Sequence, residues 1–317
     1  MDETLPPAPA PAPSRTDQVI VAGGVALLAT AVMLSTVYTR KDGDLDWTNY
    51  LVGLAATAAL LGVAAVAVTR RRGLEPDDLV GWPGGIGILG VGSMLGLALD
   101  DTDGTAYIIG LAVLGLSIVA YYLADQHWTF VLSGIGGFAL VYAKGVDDLF
   151  DAADLEGDNV GMVISLALLF FTILVTGVTW YLPERVLGGV VAGAIAIVGN
   201  FMILSALAVA GFFLLMGDSI AEGAVGSRVD TYDNDVWVIL IVALVLAAGW
   251  AWLGQQTGHV GFRILIVAIC VTVVPMATLV LAVEHPSWWG AVAGVLGVGA
   301  LGALLLGGLR QKSPQAG

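Results

Sequence analysis

Asn200 is the polar residue best placed for chemistry. It follows Gly199 near the middle of the apolar run 186–216. As one helix that run would measure about 45 Å, against a hydrocarbon core of about 30 Å. Such a run tilts, protrudes or breaks, and Gly199-Asn200 is a place where it could break. A helix broken at mid-membrane exposes backbone groups that can hold a solute or an ion. The plainer role is a hydrogen bond to a neighbouring helix, worth about 1 kcal/mol. Pro275 lies inside a later run, with Thr272 before it and Thr278 after it. Proline lacks an N–H and clashes with the carbonyl four residues earlier, that of Val271, so a kink is expected there. The threonine hydroxyls could serve the freed groups. Asn200, Thr272 and Pro275 are therefore the candidate substrate-binding residues if the chain moves a solute. As packing features they need no ligand.

Other chemistry is thinly represented. Arg263, Lys144, Asp125, Glu184 and Glu284 all fall at the ends of apolar runs. Proton relays and ion pathways need ionisable groups in mid-span, so this pattern weighs against a proton-driven pump. It also weighs against an intramembrane protease built on a Ser–His or carboxylate pair. His127, His259 and His285 sit in turns, the first two on one side and the third on the other. They read as interfacial side chains and not as a metal set. Cys270, the single cysteine, lies in an apolar run and reads as a small core residue. No phosphate loop, G-x-S-x-G elbow, H-E-x-x-H or C-x-x-C occurs. No catalytic residue, metal ligand or cofactor is expected.

The acidic turns KDGDLDW (41–47), DDTDG (100–104), DDLFDAADLEGD (147–158) and RVDTYDND (228–235) resemble calcium loops in composition alone. In 99–110 the first and twelfth loop positions are Leu99 and Gly110, where an EF-hand needs Asp and Glu. A solvated acidic face is the expectation, with loose cation binding as the lesser one.

The elements that must carry these residues are membrane helices. The 317 residues are 58% hydrophobic and 12% charged, about half the charged fraction of soluble domains. Apolar runs at about 19–39, 48–69, 82–99, 105–124, 128–145, 159–182, 186–216, 236–253, 262–283 and 287–308 each approach the length needed to cross a bilayer. Their continuity favours helices over the alternating strands of a barrel. The fold class is an all-α polytopic bundle of about ten transmembrane helices. Residues 1–18 form a Pro-rich disordered tail, 19–309 the multi-pass domain and 310–317 a short C-terminal tail. No cleavable signal peptide is evident.

Orientation follows from the bases. Arg15, Arg70, Arg71, Arg72, Arg185, Arg263, Arg310 and Lys312 share one side; Arg40, Lys41, Lys144 and Arg228 share the other. The richer side belongs in the cytoplasm, so both termini are expected inside a cell membrane. The net charge of −14 excludes nucleic acid as a natural partner. Three inner turns, ADQH, PER and GQQTGH, each follow a helix ending in aromatics and Leu. This suggests repeated helical hairpins of about 50 to 70 residues. The four G-x-x-x-G pairs starting at Gly81, Gly92, Gly189 and Gly290 read as close helix packing within the chain before dimerisation. The function expected is that of a non-enzymatic structural or partner-binding membrane subunit, set in the lipid bilayer with a membrane-protein partner or a second copy. The alternative is a secondary transporter for a small solute.

Overall fold

A continuous apolar run folds as a helix in lipid because a helix satisfies its own backbone without water. The structure, a computed structural model, describes residues 15–40, 45–70, 78–99, 104–152, 159–218 and 230–282. Among these the elements are α1 (Arg15–Tyr38), α2 (Trp47–Arg70), α3 (Asp78–Ala98), α4 (Thr105–Leu123), α5 (Thr129–Ala152), α6 (Val160–Thr179), α7 (Arg185–Asp218), α8 (Asp230–Thr257), α9 (Val260–Val271) and α10 (Val273–Ala282), with no strand. Among the described residues nine helical spans are long and apolar enough to cross a membrane, α9 and α10 together forming one of them. Large apolar side chains cover the outside: Leu27 is 75% exposed and Leu244 73%. A water-soluble fold does not carry its greasy side chains this way over its whole surface, and the chain is a multi-pass membrane protein.

Three boundaries bear on the candidate residues and the tail. α7 runs unbroken through Gly199-Asn200, because Asn200 finds partners without opening the backbone. The kink expected from Pro275 falls beside Val271, at Thr272, which separates α9 from α10. α1 begins at Arg15, inside the stretch assigned to the tail. The tenth run, 287–308, the tail 310–317 and His285 lie outside the described residues. So do most of the acidic turns and the long connection 219–229.

The chain divides into two compact units, Met1–Asp148 and Leu149–Gly317. In the first, α3 is the inner helix, packed by α1, α2 and α4. More of α3 is buried than of any other span, 56% of its apolar window. Its glycines make this possible by letting neighbours approach. Gly84 faces Phe130 of α5 and Ala64 of α2, Gly87 faces Leu61, and Gly90 faces Thr57. α4 and α5 touch backbone to backbone at Gly110 and Gly137, with Ser117 bonded to Ser133 beside them at 2.8 Å. In the second unit α8 packs on α6, α7, α9 and α10. Its Ile239, Val242, Leu246 and Trp250 meet Leu204, Phe262, Leu265, Ile269 and Val273 in one core.

Candidate functional site

Asn200 is almost fully buried, 1% exposed. Its Oδ1 accepts from Ser165 Oγ of α6 at 2.6 Å, and its Nδ2 donates to the Ala196 carbonyl at 2.8 Å. An unpaired amide in this setting would cost several kcal/mol; here both ends are engaged. Ser165 belongs to a stripe. Thr172 and Thr179 follow it at seven-residue spacing, and all three are buried. That spacing returns each to the same helix face. Thr172 Oγ1 bonds the Leu168 carbonyl at 2.8 Å and reaches the Ala192 carbonyl of α7 at 3.4 Å. Thr179 lies on Gly188, leaving no room there for a Cβ. The α6–α7 seam is thus a row of short hydroxyls against Asn200 and small residues. The pattern S-x6-T-x6-T at 165, 172 and 179 was its sequence signal, and it went unread.

Thr272 and Pro275 do not join this arrangement through any hydrogen bond of their side chains. Thr272 Oγ1 donates to the Ala268 carbonyl of its own helix at 2.7 Å, and Thr278 Oγ1 to Val274 at 2.8 Å. Neither hydroxyl serves Val271, whose carbonyl loses its donor to Pro275. Pro275 itself is exposed on α10.

Asp235 is the functional-looking residue that sequence reasoning missed. Read as part of an acidic turn, it lies inside α8 and is 2% exposed. Its Oδ2 accepts from the Gly161 N–H and its Oδ1 from the Met162 N–H, each at 3.2 Å. These are orphan donors in the first turn of α6, where the helix dipole also favours a negative charge. Gly161 is required there, because an added Cβ would press on the carboxylate. The pairing spans more than 70 residues, and no local pattern announces it. Other acids are also engaged. Asp46 caps α2 by accepting from Thr48 N–H at 2.9 Å. Lys144 bridges Asp147 at 2.8 Å and Asp148 at 2.7 Å, and Asp148 accepts from Tyr107 at 2.7 Å. Among the described residues no group of His, Cys, Asp and Glu is placed to hold a metal ion.

Two helix corners repeat one design. Between α4 and α5, Asp125 and Gln126 take φ of 51° and 62° and His127 follows. Its Nδ1 lies 2.9 Å from Thr129 Oγ1 and accepts from the Thr129 N–H at 3.4 Å. Three residues on, Phe130 packs on Gly84. Between α8 and α9, Gly258 takes φ of 68° and His259 follows. Its Nδ1 accepts from the Gly261 N–H at 3.0 Å. Three residues on, Phe262 packs on Gly189 of α7. His259 is exposed and His127 buried.

In the turn between α6 and α7, Glu184 precedes α7. Its Oε2 is buried without a hydrogen-bond partner, and burial raises its carboxyl above the ordinary range. Cys270 is a free thiol exposed on α9. Comparison of the chain with family models, curated proteins and solved structures finds no match.

Proposed function

We propose that this chain is a non-enzymatic subunit of a cell membrane, acting as a structural or partner-binding element through its helix surfaces. The observation that carries the reading is the closure of Asn200. The deepest polar side chain of the long span has both amide ends bonded within its own unit. A residue that binds a solute keeps at least one end for it. In this reading both termini and the turns at His127, Glu184 and His259 face the cytoplasm, as the distribution of bases requires. The lipid bilayer is the immediate environment, and the partner is a second membrane protein or a second copy.

A transporter is the second reading, favoured by one observation. The boundary at Asp148–Leu149 leaves five of the ten apolar runs on each side, and many transporters are built from two such halves. Reconstitution into proteoliposomes separates the two. The subunit reading expects no flux of ions or small metabolites above empty vesicles. Flux that Asn200→Leu abolishes in a still-folded protein would replace it with the transporter.

A further inference from the structure

Taking the chain as a partner-binding subunit, we infer that α9 and α10 present a self-complementary face to a second copy, the Cys270 thiol of each copy donating to the Val271 carbonyl of the other. The acceptor comes from Pro275. Proline has no N–H, so the Val271 carbonyl is without its donor four residues on. The Thr272 N–H, at the break, goes to the Ala268 and Ile269 carbonyls. Nearby Ser and Thr hydroxyls often answer such a carbonyl in a membrane helix. Here the Thr272 hydroxyl serves Ala268 and that of Thr278 serves Val274. The proline ring abuts the freed carbonyl, Val271 is 67% exposed, and Pro275 is exposed too. The acceptor therefore lies on the lipid-facing side, midway along the span Val260–Leu281. No water reaches that depth in hydrocarbon, and a bare carbonyl there is costly.

A donor stands beside it. Cys270 is a free thiol exposed on α9, and among the described residues it makes no hydrogen bond. A thiol is a weak donor. Helix side chains lean toward the N-terminus while carbonyls point the other way, so Cys270 cannot serve Val271 of its own chain. Two copies with one orientation in one bilayer are related by an axis along the membrane normal, and each residue meets its partner at its own depth. Under a two-fold axis residue i meets j while j meets i. Cys270 and Val271 differ by about 1.5 Å in depth and about 100° around the helix. They lie on opposite sides of the line of contact, so the thiol of each copy faces the carbonyl of the other. Ile264 and Val267, 60% and 62% exposed, continue this face toward His259 at helical spacing. The opposite face is already engaged, with Leu265, Ile269, Val273 and Ala277 in the core.

The test is resonance energy transfer between full-length chains carrying donor or acceptor fluorescent proteins at their C-termini, in liposomes over a range of protein-to-lipid ratios. The wild type should associate. Cys270→Ala removes the thiol, and Pro275→Ala gives Val271 back an N–H of its own chain. Each should weaken association about tenfold, the size of two interhelical hydrogen bonds. The double variant should be no weaker than either single one, and Cys270→Ser, which keeps a donor, should still associate. A monomeric wild type would overturn the interface yet leave the subunit reading standing, since the flux assay judges that reading separately. Association that ignores both changes, or losses that add in the double variant, would also overturn it. If Pro275→Ala fails to fold, the two Cys270 variants decide: equal loss in Ala and Ser refutes the thiol as donor, and retention in Ser alone supports it.

Discussion

Ser165 Oγ and Asn200 Oδ1 lie 2.6 Å apart across the α6–α7 seam, so the most buried amide of the longest span is answered by the neighbouring helix. Asn200→Leu removes that bond and leaves the serine to turn back to its own helix. Stability should fall by about 1 kcal/mol. Ser165→Ala should cost a similar amount, and the double variant less than the sum. Unfolding of the four proteins in one detergent measures the coupling. Strict additivity would show that the bond contributes nothing.

Asp235 should matter more. Its carboxylate answers two N–H groups of α6, and hydrogen bonds to a charged group contribute about 1.5–3 kcal/mol. Asp235→Ala leaves both donors buried and unmatched, so a loss of about 3 kcal/mol is expected. Asp235→Asn keeps one acceptor and should lose less. Equal losses in the two variants would mean that only the volume of the side chain counts there.

These two residues mark how far the sequence could be read. Helices and membrane class follow from local composition, because an apolar run of 20 residues has few alternatives in lipid. Asn200 was visible as a mid-span amide, yet whether the helix broke there depended on whether a partner stood opposite. That partner is Ser165, on another helix. Asp235 was counted with the outer acids because it sits beside a turn in sequence. Its burial depends on the start of α6, which no local pattern indicates. The histidine corners were visible as turns, but their function as caps needed Gly81, Gly84 and Gly189 from other helices.

Glycine has two uses in these helices, and substitution should separate them. At Gly137 an added Cβ would stand 2.7 Å from Leu114 N and 2.8 Å from the Gly110 carbonyl. Backbone cannot step aside as a flexible side chain can, so Gly137→Ala should cost about 1–3 kcal/mol. Gly249 has nothing within 4 Å, and Gly249→Ala should leave melting unchanged. A Gly137→Ala protein as stable as wild type would refute the close α4–α5 contact.

Glu184 gives a pH dependence whose direction can be worked out. Burial raises its carboxyl, so the folded protein holds that proton more tightly than the unfolded chain does. The ionised group therefore opposes folding at neutral pH, and the opposition fades as pH falls through the raised value toward that of free glutamate. Glu184→Gln should then be more stable than wild type at pH 7, with the gap closing on acidification. Thermal melts of both proteins from pH 7 to pH 4 test this. A gap that widens toward low pH would mean that the carboxylate has a cationic partner.

Topology can be tested apart from function. The base distribution places the turns holding Asp103 and Asp154 outside. Single cysteines at these positions, in a Cys270→Ala background, should react with an impermeant maleimide in intact cells. Removing Cys270 matters because its thiol is exposed on α9. A third cysteine at Asp125, in the exposed turn after α4, should react only after lysis. The reverse pattern would turn the protein over and place the His127 and His259 corners on the outer face. It would leave the hydrogen bond between Ser165 and Asn200 untouched.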